Sequence, residues 1–259
     1  MIAYLGMYDR PETAEANDLF WAAIRSNLDL GPEKPPEILN RDIDPWEAWN
    51  APDLLLAQTC GCPYRTRLYG EVDLVGTPDY GLPDCPPGYY RSVFVAKAAT
   101  PLPGLKDFDR ARFAYNDGLS QSGWAAPLIH MQDRGILPGE LVETGGHRAS
   151  ALAVAEGRAD FAALDILSWE LMQKYDAFAD QLCVFERTAP TPGLPFITAL
   201  SQDPVQIYQA IDDAIKDLDP TTRAALHLTG ILQIPISEYL SVPTPPGPVL
   251  TGLKIAARR

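Results

Sequence analysis

Positive charge and long hydrophobic runs are scarce in this 259-residue sequence. The 34 acidic residues outnumber the 21 basic residues, so the formal net charge is −13. Nucleic acids and anionic membrane surfaces are bound through lysine and arginine, so the composition argues against both as partners. A transmembrane helix needs roughly 18 consecutive apolar residues, and no segment approaches that length. A small anionic ligand is still compatible with this charge, because nearby hydrogen-bond donors can outweigh a distant field.

The sequence also lacks the motifs of common catalytic, nucleotide-binding and metal sites. It contains no G-x-S-x-G, P-loop, H-E-x-x-H or G-x-G-x-x-G motif. The three histidines, His130, His147 and His227, do not follow a metal-ligand spacing. We therefore expect no metal ion, no cofactor and no enzymatic nucleophile.

Cysteines are few, and their arrangement leaves two interpretations open. The four are Cys60, Cys62, Cys85 and Cys183. In the first interpretation they are free thiols. In the second, a disulfide joins Cys60 or Cys62 to Cys85, which would indicate an oxidising compartment.

What the sequence does contain is a regular alternation of strand and helix patterns. Short apolar runs such as 53–57 and 111–115 read as buried strands, and a further strand at 71–75 is predicted to stop at Gly76-Thr-Pro78. Segments such as 123–134 and 147–157 carry apolar residues at helical spacing. The alternation predicts an α/β fold of mainly parallel sheets flanked by helices.

Two seams in this pattern predict a division into two lobes. They lie after the long strand 89–97 and in the Pro-rich stretch 187–195. If both are hinge strands, lobe I comprises 1–92 plus 190–259 and lobe II comprises 93–189. The cleft between two such lobes is the natural place for a small ligand.

Polar groups follow the predicted strands at the points where parallel sheets bind ligands. Ser120, Ser122 and Gly123 lie where a helix should begin, and free backbone N–H groups there carry partial positive charge. Such a turn predicts a small oxyanion receptor. Ser122 as a simple helix cap is the competing interpretation.

Two further strand ends carry candidates with open alternatives. His147 at a helix start either donates to an anion or caps and packs. Asp165 either accepts a hydrogen bond from a ligand amine or hydroxyl, or caps the helix near Ser168. The sequence does not choose between these roles.

Five motifs resemble the phosphate/phosphite/phosphonate-binding proteins of ABC importers, which have the type 2 periplasmic-binding-protein fold. They are QTCG-x-PY (58–64), GYYRS (88–92), LSQSGW (119–124), GGHRASALAVAEGRADFAALD (145–165) and TAPTPGLPF (188–196). The resemblance covers about residues 1 to 240 and implies a two-lobed, hinged receptor that closes on a small oxyanion, phosphonate-like or another organic acid. The ligand-binding residues that it implies are Ser120, Gln121, Ser122, Gly123 and His147 for the anion, with Tyr8, Thr59, Tyr64 and Asp165 for the rest of the ligand.

The resemblance further implies a monomer, an ABC permease as partner and a periplasmic location. Two departures from the family are visible: Gln121 stands where a small hydroxyl residue is common, and the sequence begins directly on its first strand. The cytosol therefore stays open as a location. Two alternative functions remain. The first is a cytosolic ligand sensor, and the second is an enzyme like the pyrimidine-precursor synthases, with Cys60, Cys62 and His147 as candidate catalytic residues.

Overall fold

Two sheets organise the chain, one in each of two units. The computed structural model describes residues 1–99 and 101–256. The first unit comprises Met1–Tyr89 and Pro192–Ser241, and the second comprises Tyr90–Thr191 and the segment that begins at Val242. The chain therefore passes from one unit to the other three times.

The strands and helices alternate as the sequence pattern predicts. The strands are β1 (Ile2–Tyr4), β2 (Leu54–Gln58), β3 (Val72–Asp79), β4 (Tyr89–Tyr90), β5 (Ser92–Lys97), β6 (Arg112–Tyr115), β7 (Glu140–Glu143), β8 (Phe161–Asp165), β9 (Leu182–Arg187), β10 (Thr191–Pro192), β11 (Phe196–Ala199), β12 (Gly230–Leu232) and β13 (Lys254–Ile255). The α-helices are α1 (Ala14–Asn27), α2 (Pro45–Trp49), α3 (Gly61–Pro63), α4 (Ala126–Gln132), α5 (His147–Ala155), α6 (Ile166–Tyr175), α7 (Pro204–Asp217), α8 (Pro220–Ala225) and α9 (Ile236–Ser241). Single π-helical turns cover Tyr64–Leu68 and Gln121–Ala125, and 3-10 turns cover Leu105–Phe108, Ala177–Gln181 and Pro248–Thr251.

The sheet of the first unit has the order β1-β2-β11-β3-β12. β1 and β2 are parallel, whereas β11 runs antiparallel to both of its neighbours and β12 runs antiparallel to β3. α1 and α7 pack together, and their buried faces join one core cluster with residues such as Phe20, Ile24 and Ile211. A second cluster contains Trp49, Tyr64 and Tyr239. The sheet of this unit is thus mixed rather than mainly parallel.

The sheet of the second unit has the order β13-β7-β6-β8-β5-β9. The first four strands are mutually parallel, and β5 runs antiparallel to both β8 and β9. Aromatic side chains such as Phe94, Phe113 and Phe161 form its core with Trp124 and Leu128 from the helix after β6. α5 packs against β5, β6 and β8. The carboxyl ends of β6, β7 and β8 therefore lie at one edge of this sheet.

The C-terminal segment corrects the predicted division of the chain. The sequence prediction puts 190–259 entirely in lobe I, whereas the structure groups the chain from Val242 onward with the second unit. The reason is strand pairing: β13 adds to β7 in parallel, and Ala256 N donates to Leu141 O at 2.8 Å. Lys254 also forms a 2.9 Å ion pair with Glu140. A two-residue edge strand after a Pro-rich stretch gives too weak a pattern to be read from sequence.

β3 is longer than the sequence predicts. It continues through Gly76 to Asp79 because it changes partner, pairing with β11 up to Gly76 and with β12 from Thr77 onward. A Cβ at Gly76 would lie within 3.0 Å of the side chains of Tyr208 and Ile231, so glycine makes room for a helix and a neighbouring strand there.

No disulfide joins the four cysteines, all of which lie in the described part of the chain. The bridge from Cys60 or Cys62 to Cys85 is therefore not formed, and the thiol interpretation holds. Cys62 is buried at the start of the segment after β2, whereas Cys60 and Cys85 are partly exposed. Across residues 1–99 and 101–256, no helix has the length and apolarity that a membrane crossing requires.

Candidate functional site

One edge of the second unit's sheet gathers most of the predicted ligand-binding residues. β6, β7 and β8 are parallel and end at Tyr115, Glu143 and Asp165, so the segments that follow them start at a common edge. β5 runs the other way, and its first residue, Ser92, is paired with Asp165. The edge thus combines three strand ends with one strand start.

The first turn of the site, residues 120–123, follows β6. Ser120 is the helix cap: its Oγ accepts a 2.9 Å hydrogen bond from Gly123 N. The competing interpretation with Ser122 as the cap is therefore wrong. The chain winds as a π turn from Gln121, with Ala125 N donating to Ser120 O at 2.9 Å. Pro127 is the second residue of α4, directly after the π turn, and it donates no backbone hydrogen bond there.

The second turn, residues 145–147, follows β7 and leads into α5. Gly145 has a φ of +85°, a left-handed conformation that glycine adopts without the steric cost of a Cβ. α5 begins at His147. A 2.9 Å hydrogen bond joins His147 Nε2 to Ser122 Oγ. The structure therefore brings the two turns that the sequence singled out into direct contact.

His147 is uncharged near neutral pH. Burial lowers the pKa of His147 to about 4, and the nearby backbone carbonyl of Ala163 opposes only part of that shift. An imidazole without charge offers hydrogen bonding but no Coulombic attraction. His147 can therefore hold an anion at this edge through hydrogen bonding only.

Asp165 acts as a helix cap. Its Oδ1 accepts a 2.9 Å hydrogen bond from Ser168 N, and the residue is only 2% exposed. This is one of the two roles that the sequence left open. The ligand-binding role is not tested by this contact, because a carboxylate has further acceptor capacity.

Sequence reasoning missed Ser92 and Asn116 at the same edge. Ser92 is 1% exposed, and within the described residues its Oγ has no hydrogen-bond partner. Asn116 directly follows β6, and its backbone carbonyl accepts from Gly145 N at 2.9 Å. Ser92 stands in the GYYRS segment, but only the antiparallel direction of β5 places it beside Asp165. Asn116 precedes the LSQSGW segment and carried no motif of its own.

The corresponding edge of the first unit is richer in aromatic residues. The rings of Tyr8 and Tyr80 meet edge to face with centroids 5.2 Å apart. Gln58 Nε2 donates to Tyr80 Oη at 2.8 Å and to Leu194 O at 3.0 Å. Thr59 is fully buried, and no partner for its Oγ1 lies within the described residues. Tyr80 was missed because the sequence predicts that β3 ends before it.

Tyr64, the third candidate from this half of the chain, lies in the core. It is 1% exposed and packs edge to face against Tyr239, with ring centroids 5.5 Å apart. Burial raises the pKa of Tyr64 to about 12. This placement favours a structural role for Tyr64 over contact with a ligand.

Comparison with known proteins identifies the family. Residues 71–235 match the family model described as "ABC transporter, phosphonate, periplasmic substrate-binding protein". A search of curated proteins found no significant match.

Solved structures share the fold at low sequence identity. PhnD1 from Prochlorococcus marinus, in complex with methylphosphonate, is similar with a TM-score of 0.67 and 17% identity, over 92% of this chain and 93% of that chain. A binding protein component of an ABC phosphonate transporter from Pseudomonas aeruginosa has a TM-score of 0.68 and 15% identity, over 92% of this chain and 82% of that chain. MatC from Rhodopseudomonas palustris, with bound malate, has a TM-score of 0.59 and 13% identity, over 92% of both chains.

These matches confirm the predicted fold class, an α/β protein of the type 2 periplasmic-binding-protein architecture. They also confirm the transport class, since the family consists of substrate-binding proteins rather than enzymes. The synthase alternative is thereby set aside. The family model spans more than half of the sequence, and the chain belongs to the periplasmic substrate-binding protein family of ABC phosphonate transporters.

Proposed function

We propose that this chain is the solute-binding component of an ABC-type importer and that it binds a small oxyanion at the turns 120–123 and 145–147. Family membership implies a small-molecule ligand and an ABC permease partner. The observation that carries the proposal is the 2.9 Å hydrogen bond between Ser122 Oγ and His147 Nε2. It makes one receptor of two helix starts that are separated in sequence.

The chemistry of this receptor suits an anion held by neutral donors. A helix N-terminus contributes about 0.3–1 kcal/mol to anion binding when exposed and about 2 kcal/mol when partly buried. Micromolar affinity requires about −8 kcal/mol. The two helix starts therefore need help from charge-assisted hydrogen bonds, which backbone N–H groups and the one hydrogen that the Ser122–His147 bond leaves unused can supply.

Phosphonate-like anions are the favoured ligand class, with organic acids second. PhnD1 was solved with methylphosphonate and MatC with malate, and both share the fold. Under this proposal, Ser120, Gln121 and Gly123 complete the anion receptor. Asp165, Tyr8 and Thr59 are the proposed contacts for the rest of the ligand, whereas Tyr64 is left out because it lies in the core. Enclosure of the ligand by hinge closure, function as a monomer and a periplasmic location for this chain belong to the same proposal.

Titration calorimetry tests the proposal directly. The purified chain is titrated with methylphosphonate, phosphate, malate and methanesulfonate. At least one of the first three is expected to bind, and Ser122→Ala combined with His147→Ala is expected to abolish that binding while leaving the circular dichroism spectrum unchanged. Ser26→Ala, on the exposed face of α1, is the matched control and should bind as the wild type does.

Two results would contradict the proposal. Absence of heat and of thermal stabilisation with every anion would remove the ligand class. Unchanged affinity in the folded double variant would place the ligand elsewhere on the chain.

A further inference from the structure

Asn116 touches both turns of the proposed receptor. It follows the last residue of β6, and its backbone carbonyl accepts from Gly145 N at 2.9 Å, which ties it to the second turn. Its side-chain Oδ1 lies against Gly123 in the first turn, in the space that a Cβ on residue 123 would occupy. Ser120 Oγ borders the same space, at 3.2 Å from that Cβ position. The amide oxygen of Asn116 thus lies against the first turn, and its backbone carbonyl binds the second.

This oxygen is buried and unsatisfied. Within residues 1–99 and 101–256 it has no hydrogen-bond partner, although solvent barely reaches the atom. A buried acceptor without a donor costs roughly 1–3 kcal/mol, and the large majority of buried polar atoms are paired. A water or ligand that reached this atom would supply the missing donor.

Asn116 Oδ1 is a hydrogen-bond acceptor among groups that can donate hydrogen bonds. Backbone N–H groups and serine hydroxyls around it can donate to an anion, whereas a carbonyl oxygen can only accept. An ionised oxygen placed against Asn116 Oδ1 would bring two lone pairs together. A protonated oxygen of the same ligand would instead form a hydrogen bond.

We propose that Asn116 contacts the ligand and selects oxyanions that retain a proton, such as hydrogen phosphonates, over sulfonates, which carry none. The inference rests on the proposed function, because it concerns the same receptor. It assigns a specificity role to a residue that neither the sequence motifs nor the family match indicates.

The hydrogen bonds within the two turns are consistent with this selection. His147 is neutral, and the contacts at both turns are dipoles rather than cations. Removing a dianion from water costs more than removing a monoanion. A singly charged, protonated ligand therefore matches the receptor in charge as well as in hydrogen bonding.

The test compares two ligands of similar shape. Wild type and Asn116→Ala are titrated with methylphosphonate and with methanesulfonate at one pH. The wild type is expected to bind methylphosphonate at least tenfold more tightly. In Asn116→Ala that ratio is expected to fall about tenfold, which corresponds to about 1.4 kcal/mol. Asn27→Ala, an exposed asparagine on α1, is the matched control and should keep the wild-type ratio.

Asn116→Asp keeps an acceptor oxygen at the same position. Its negative charge should weaken both ligands, but the preference for methylphosphonate should survive. If Asn116→Ala does not fold, as judged by circular dichroism, the ratio measured for Asn116→Asp decides, and loss of the preference would overturn the proposal.

The pH dependence of methylphosphonate affinity provides an independent test of the role of Asn116. Wild-type affinity for methylphosphonate should fall as the pH rises through the second ionisation of the ligand, and Asn116→Ala should lose this dependence. An unchanged ligand ratio in folded Asn116→Ala would overturn the inference while the proposed function stands, since the amide nitrogen would then face the ligand. A wild type that binds neither phosphonate, phosphate nor malate would overturn both.

Discussion

The edges of the two sheets differ in the kind of contact they can offer. The second unit presents hydroxyl, imidazole and backbone N–H groups fixed by helix starts, as in the Ser120 cap and the Ser122–His147 bond. The first unit presents the ring pair of Tyr8 and Tyr80. Directional donors suit an oxyanion, whereas rings suit an apolar substituent. Under the proposed function, the second unit therefore recognises the anionic group.

The largest expected effect concerns pH and His147. Because the folded pKa of about 4 lies below the ordinary 6.5, the unfolded chain binds the proton more readily. The contribution of His147 to the unfolding free energy is fully present above about pH 6.5. It decreases as the pH falls towards 4, and below that pH it changes no further. The loss amounts to about 3 kcal/mol at most, and the intermediate exposure of the residue reduces it.

Thermal unfolding between pH 7 and pH 4 checks this, with His147→Gln as the comparison, since the difference between the two curves removes the carboxylates common to both. A wild type and a variant with parallel pH profiles would show that His147 titrates normally.

The next effect compares a glycine at each edge. A Cβ on Gly123 would overlap Asn116 Oδ1, whereas a Cβ on Gly61, at the start of α3 in the first unit, would meet its nearest atom at 3.7 Å. Gly123→Ala is expected to lose about 1–3 kcal/mol of unfolding free energy through overpacking and to weaken methylphosphonate binding at least tenfold. Gly61→Ala is expected to change neither appreciably. Urea denaturation measures the unfolding free energy and calorimetry measures the methylphosphonate affinity. Equal losses in Gly123→Ala and Gly61→Ala would contradict the expected difference between the two edges.

A smaller effect is expected from Tyr80→Phe in the first unit. The variant keeps the ring contact with Tyr8 but loses the hydrogen bond from Gln58, whose Nε2 retains its bond to Leu194 O. The expected loss of stability is about 0.5–1.5 kcal/mol, with less than fivefold change in anion affinity. A large loss of affinity would move part of the anion receptor to the first unit.

The smallest effect is expected at the C-terminal strand. Lys254→Ala removes the 2.9 Å ion pair with Glu140, but the lysine side chain is 72% exposed. Exposed pairs of this kind contribute about 0–1 kcal/mol. Hydrogen exchange should show faster exchange at Ala256 N, which donates to Leu141 O, and no change at the turns. Faster exchange at 120–123 would mean that this strand supports the receptor.

Local patterns predicted much of the molecule. The alternation of strands and helices, the α/β class and the turns that follow β6 and β7 were readable, because each depends on residues close in sequence. The rule that parallel strands end at a common edge grouped the turns 120–123 and 145–147, but it did not predict the hydrogen bond between Ser122 and His147.

What could not be predicted depends on strand order and winding. Tyr80 reaches the edge of the first unit's sheet only because β3 changes partner at Gly76. Ser92 reaches the edge of the second unit's sheet because β5 is antiparallel to β8. The Asn116 contact requires the three-dimensional approach of a side chain to Gly123. The pairing of β13 with β7 joins residues more than a hundred positions apart, and no local pattern encodes it.

The π turn at Gln121–Ala125 has one more consequence. A π turn is an α-helix with one inserted residue, and removing a residue restores the tighter winding. Each helical residue rotates about 100° around the axis, so deletion of Gln121 would swing the hydroxyl of Ser122 away from the imidazole while leaving α4 intact. The one extra residue of the π turn therefore determines whether the helix start directs the Ser122 hydroxyl towards His147.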